Sequence, residues 1–193
     1  YSNARAVASV LGGGYPALAE ARIALRARSA DVNARLAAVP QSLRGDDGLM
    51  YDRLRWRRER DLNDGAIEIL NAAPAASKMH NPAAWWRERH IIARRLMAAR
   101  AYRQAYLLVS DHRQTDGLPH AEAEWLAGWL ALAFLNAPAK ALPHFEKMYA
   151  KVSSPISRTR GAYWAGRAAQ QAGQVDAARR WYALAAREQI TFY

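Results

Sequence analysis

Three kinds of side chain in this sequence could take part in chemistry: carboxylates in apolar company, histidines, and arginines interleaved with tryptophans. Cleavage of a glycosidic bond wants a carboxyl of raised pKa in an apolar pocket, often with a second carboxyl nearby. Glu88, Glu122 and Glu124 are the candidates by apolar context. Glu88 follows Trp85 and Trp86 but is flanked by Arg87 and Arg89, whose charges would lower its pKa, so an ion pair within or between helices is expected. Glu124, just before Trp125, reads as a helix-surface or pairing residue. The histidines are His80, His90, His112, His120 and His144. They form no H-E-x-x-H helix and no two stand at i, i+4, so no metal site is expected. Ser and His are too scattered to pair a nucleophile with its base. There is no phosphate-cradling glycine loop, and Gly12-Gly13-Gly14 before Tyr15-Pro16 reads as a helix-breaking connection.

The aromatic and basic residues offer binding rather than catalysis. Trp125 and Trp129 are four apart, on one face of a helix. Sugar rings stack on such aromatic faces, which makes the pair a candidate for a glycan groove, while the alternative is helix-pair core. Trp164 and Trp181 fall on neighbouring helices of one hairpin. Arg158, Arg160 and Arg167 sit on successive turns of one helix. They are expected either to pair with acidic side chains of the next repeat or to contact an acidic ligand. The five candidate binding residues are therefore Arg158, Arg160, Arg167, Trp125 and Trp129.

The elements that must position these residues are helical. β-branched residues are sparse, with seven Val, seven Ile and three Thr among 193 residues, and no alternating run is long enough for a strand. Ala, Arg, Leu and Glu dominate, as they do in helices. With 51% apolar residues a core can form, and no run of apolar residues is long enough for a membrane span. Cysteine is absent, which excludes disulfides and thiolate metal sites. The chain opens on Tyr1, which reads as a processed or truncated product. The net charge of +11 invites an anionic partner such as nucleic acid, acidic lipid or an acidic polymer. Against this, 24 of the 28 basic residues are Arg and they run from Arg5 to Arg187. The densest run, Arg53 to Arg60, alternates with Leu54 and Trp56 as a solvated helix face would. Nucleic-acid binding rests on charge alone, with no recognised motif, and is not expected.

Capping residues predict helices near 2–12, 15–28, 31–38, 48–61, 63–73, 82–98, 101–113, 119–135, 137–151, 155–172 and 174–188. The signals are Asn81-Pro82, Asn136 and Ser154-Pro155 at helix starts, Asp31 before a short helix, and Gly173 past a helix end. Small residues recur at positions that would let paired helices approach. Gly166 and Ala178 do so in the last unit, where Val175, Ala178, Tyr182, Ala185 and Gln189 share one face. Gly128 with Ala141, Phe145 and Met148 echoes it; before that come Ala93 with Ala105 and Val109, and Leu54 with Ala66 and Leu70. Positions 54, 93, 128 and 166 are 39, 35 and 38 apart, too irregular for a strict array. The expected fold is all-α: a single domain over 1–193, an α-solenoid of four or five tetratricopeptide-like antiparallel hairpins in a curved superhelical arc.

These segments resemble the superhelical domain of the soluble lytic murein transglycosylases. The matching residues run in order: Trp85-Trp86-Arg87-Glu88-Arg89-His90, Ala93-Arg94-Arg95, Ala105-Tyr106-Leu107, Glu122-Ala123-Glu124-Trp125-Leu126-Ala127-Gly128-Trp129 and His144-Phe145. They continue through Pro155-Ile156-Ser157-Arg158, Gly161 to Ala169, Trp181-Tyr182, Ala185-Ala186 and the terminal Phe192-Tyr193. The likeness is close over 48–193 and weaker over 1–47. It implies a bacterial periplasmic protein whose partner is peptidoglycan. The parent enzyme would cut glycan strands without water, leaving a 1,6-anhydro-muramic end and needing no metal or organic cofactor. The three arginines would then face the acidic peptide stems of the cell wall. In the family a Glu-Ser motif in a lysozyme-like domain carries the chemistry. No Glu-Ser pair occurs here, so no catalytic residue transfers, and the catalytic domain is expected to lie outside this chain. The competing expectation is a free-standing helical-repeat scaffold that binds a peptide or protein partner.

Overall fold

A computed structural model describes residues 1–187; Gln189 and Phe192-Tyr193, used above, lie outside the described residues. Eleven α-helices and no strand are found among the described residues. They are α1 (Ser2–Leu11), α2 (Tyr15–Ala27), α3 (Val32–Ala37), α4 (Asp47–Glu59), α5 (Asn63–Asn71), α6 (Pro82–Ala98), α7 (Tyr102–Ser110), α8 (Gly117–Trp129), α9 (Pro138–Lys151), α10 (Pro155–Gln171) and α11 (Val175–Arg187). Each corresponds to a predicted helix. Helices pack mostly on their chain neighbours, except that α2 also meets α4, because the intervening α3 is only six residues long.

Two of the four predicted caps, Asn81 and Ser154, act as expected, and Asp46 adds one that was not predicted. The Asn81 side chain accepts from Ala84 N–H at 3.0 Å, Asp46 from Leu49 N–H at 2.8 Å, and Ser154 from Ser157 N–H at 3.2 Å, each filling an orphan donor of the first turn. Two expected caps behave otherwise. Asn136 stands one residue too early, with φ 48°, and its side chain instead accepts from Gln171 at 2.7 Å. Asp31 turns its carboxylate to Arg35 at 2.7 Å, one turn along the exposed face of α3. At the other end of α10, Gly173 has φ 75°. Its N–H reaches Gln170 O, and the next N–H, of Gln174, reaches Ala169 O, the paired closure of a left-handed helix stop. The same closure ends α2, α4 and α6, with Arg28, Asp61 and Arg100 in the left-handed position.

Beyond α8 the chain departs from the expected continuous helix over 119–135. Leu130–Phe134 forms a π-helical segment, with Leu135 N–H bonded to Leu130 O and Ala137 N–H to Ala131 O. Its wider turn carries one extra residue, a device that re-aims side chains.

The chain forms two compact units, Tyr1–Glu88 and the part from Arg89 onward. The first unit is cored by Leu18, Ala21, Leu25, Val32, Val39 and Leu49. Its buried Asp52 accepts from Arg22 and Arg26, both at 2.9 Å, so the carboxylate is paired on both oxygens. Glu88 meets Arg58 of α4 in a two-pronged pair at 2.7 and 3.1 Å, the ion pair expected of it. The run Arg53 to Arg60 is not a freely solvated face. Arg55 pairs with Glu59 at 3.3 Å, Arg57 with Glu68 at 3.2 Å, and Arg60 lies over Trp56 at 4.3 Å.

In the second unit, Phe145, Ala131, Ala141, Ala165 and Ala168 form the centre. Small residues make the notches that the sequence pattern required. A Cβ on Gly128 would stand 2.7 Å from the Phe145 ring, and one on Gly166 would stand 2.7 Å from Tyr182. Both distances are shorter than packed carbon atoms allow. Ala178 and Ala185 are buried as expected, whereas Val175, assigned to the same face, is 58% exposed because it begins the helix.

Candidate functional site

Glu124 is the buried polar centre of the second unit, 3% exposed. The helical period puts His120, one turn earlier on α8, on its side, with Nε2 at 3.7 Å. His112, from the connection after α7, brings Nε2 to 3.3 Å. From α9, His144 Nδ1 reaches the other oxygen at 2.5 Å and Lys147 Nζ stands at 3.9 Å. Burial by itself would push this carboxyl up. The hydrogen bonds from His112 and His144 outweigh it and bring the pKa to about 2. Glu124 is thus a pairing residue, as one of its two sequence readings held, and is not on the helix surface.

The cluster is neither a metal centre nor a nucleophile with its base. Gln114 N–H donates to His112 Nδ1 at 2.9 Å, so the ring proton sits on Nε2 and points to Glu124. A ligating imidazole must present a bare nitrogen to the ion, and His112 presents the opposite. No group of three or more His, Cys, Asp or Glu among the described residues is placed to hold a metal. The Tyr106 hydroxyl lies 3.4 Å from His144 Nε2, completing a phenol–imidazole–carboxylate chain. Burial, and then the Glu124 charge, push the Tyr106 pKa up. The chain instead ties α7, α8 and α9 together. The sequence signal for it was His120 four residues before Glu124 on one helix; the other partners are distant in sequence and were not read.

A cavity of about 670 Å3 opens among α6, α7, α8, α9 and α10. Trp125, Trp129 and Arg160, three of the five predicted binding residues, line it, together with Arg94, Tyr102, Glu122 and Phe134. Their order is set by ring packing. Tyr102 stacks on Phe134 at 4.1 Å, Phe134 meets Trp129 edge-to-face at 4.9 Å, and Trp129 stacks on Trp125 at 5.7 Å and 11°. The Arg160 guanidinium closes the series, 3.9 Å from the Trp125 centroid. The π-helical segment supplies Phe134 to this wall. Burial lowers the Arg160 pKa, with the Glu122 charge opposing, and burial likewise lowers that of His90 at the same cavity, again opposed by Glu122.

Arg158 and Arg167 do not line this cavity. Arg158 lies over Tyr149 at 4.3 Å and donates to its hydroxyl. Arg167 donates to the Tyr163 hydroxyl at 3.3 Å on the exposed face of α10. Arg89, which sequence reading placed only as a neighbour of Glu88, is a fully buried side chain donating to Leu108 O at 2.7 Å. Burial takes its pKa down to about 10.

No protein-family model matches the chain, and neither a curated protein nor a solved structure matches it. No helix among the described residues is long and apolar enough to cross a membrane.

Proposed function

We propose that this chain is the non-catalytic helical support of a peptidoglycan lytic transglycosylase, acting in the periplasm. Its role is to position a catalytic domain and its glycan strands during cell-wall turnover. The reading is carried by the ordered motif set from Trp85 to Ala186. Those residues fall on six successive helices, α6 to α11, and include the notch pairs Gly128 with Phe145 and Gly166 with Tyr182. The carboxylates support a passive role. Glu88 and Glu124 are consumed in buried pairs, and Glu124 is held ionised at a pKa far below what a general acid requires.

The test is the coding sequence that follows Tyr193 together with a zymogram on purified peptidoglycan. A downstream lysozyme-like domain with a Glu-Ser motif is expected, and the present chain alone should clear no peptidoglycan. An undivided gene product without such a domain sinks the reading. A second reading, a free-standing helical-repeat scaffold for a peptide or protein partner, draws on the aromatic cavity of the second unit and needs no enzyme.

A further inference from the structure

The cavity in the second unit differs from a sugar-stacking groove in one respect that decides its ligand. A pyranose needs an open aromatic face. On Trp125 one face is taken: Arg160 covers it at 3.9 Å, and Trp129 lies offset beside the ring with centroids 5.7 Å apart. Trp129 is itself engaged by Phe134 at 4.9 Å. The rings are thus partly engaged with one another and with Arg160, which leaves less free aromatic face for a sugar. Two guanidiniums, Arg94 and Arg160, line the same space against one carboxylate, Glu122, in a chain of net charge +11. A guanidinium resting on an indole is already weakly hydrated, and it offers its N–H edge to a carboxylate with little further loss of water.

We propose that this cavity binds an acidic peptide segment, whose carboxylates meet Arg94 and Arg160 and whose apolar side chains fill the space beside Tyr102, Phe134 and Met97. Charge complementarity selects an anion, and the apolar lining selects one with an apolar body. Ser157, on the lining, favours the peptide over a simple amphipathic acid, because its hydroxyl can serve an amide group. The volume of about 670 Å3 holds a few residues. The proposal rests on the binding reading and is independent of whether the chain supports a transglycosylase.

Titration calorimetry on the full chain tests it with four probes: the acetylated amide tetrapeptide Glu-Leu-Glu-Leu, its Gln-Leu-Gln-Leu counterpart, decanoate, and a tetramer of N-acetylglucosamine. The acidic peptide should bind saturably, about tenfold or more tighter than each other probe, and more weakly as salt rises. Arg94→Ala and Arg160→Ala should each weaken it about tenfold. Arg94 is exposed, so Arg94→Ala decides the matter if Arg160→Ala fails to fold. Equal affinity for the two peptides overturns the proposal. So does tighter binding of decanoate or the sugar, indifference to Arg94→Ala, or no binding of the acidic peptide at millimolar concentration. None of these outcomes bears on whether a catalytic domain follows Tyr193, so the two readings fail separately.

Discussion

Glu124 shows how a single carboxylate can organise three helices. It sits where α7, α8 and α9 converge, and its partners arrive from His112, His120, His144 and Lys147. Such a site makes stability depend on pH in a definite sense. The carboxyl pKa is lowered on folding to about 2, so its contribution is present above the ordinary carboxyl value and is lost as pH falls through the folded one. Burial also lowers the pKa of His120, with Glu124 opposing. Protonation of that ring therefore disfavours the folded state below the ordinary imidazole value, and the sign is the same. Melting temperature should be level above about pH 7, fall below about pH 6.5 and fall again below about pH 4.5. Glu124→Gln should cost about 2–3 kcal/mol at neutral pH and flatten the acid limb, both read from denaturant melts across pH. A variant with an unchanged acid limb would remove Glu124 from this role.

At the scale of the helix, the notches are the specific feature. Gly128 gives Phe145 room where a methyl would stand 2.7 Å from the ring, and Phe145 is fully buried with nowhere to move. Gly128→Ala should therefore destabilise by about 1–3 kcal/mol despite its better helix propensity. In a Phe145→Leu background the same change should cost about 1 kcal/mol less, a coupling that a denaturation cycle measures. Equal costs in both backgrounds would mean that the two residues do not share that space. Much of this level was legible in the sequence, since Gly128, Ala141, Phe145 and Met148 announced the pairing and Asn81, Ser154 and Gly173 announced helix ends. The left-handed stops at Arg28, Asp61 and Arg100 were not, because nothing in those side chains requires the conformation; the surrounding helix imposes it. Nor was the π-helical segment, whose residues Leu130–Phe134 read as ordinary helix. The Glu124 cluster was illegible for a third reason: His112 and His144 lie 12 and 20 residues away on other elements, and only packing brings them in.

For the whole molecule, the division at Glu88 and Arg89 falls inside α6, so no loop marks the boundary and composition does not change there. Each unit has its own apolar centre. A fragment from Pro82 to the end, which keeps α6 intact, should fold alone with one cooperative thermal transition and a helical circular dichroism spectrum. A fragment without cooperative melting would show that the centre around Phe145 does not suffice by itself. At this scale composition had announced helices and nothing else, because the placing of eleven rods depends on which side chains meet. The basic excess is likewise not one surface. Part of it is paired, inside the fold with Asp52 and Glu88 and nearer the surface with Glu59 and Glu68, and part faces the cavity through Arg94 and Arg160.

The wide turn at Leu130–Phe134 has a historical corollary. A helix can absorb a single inserted residue as such a turn while its flanks keep their docking. In an ancestor lacking that residue, everything before Trp129 would keep its angular position. Phe134 would be swung to another side of the rod and would leave Tyr102 and Trp129 uncovered. The place of Phe134 in the aromatic wall therefore depends on that surplus residue.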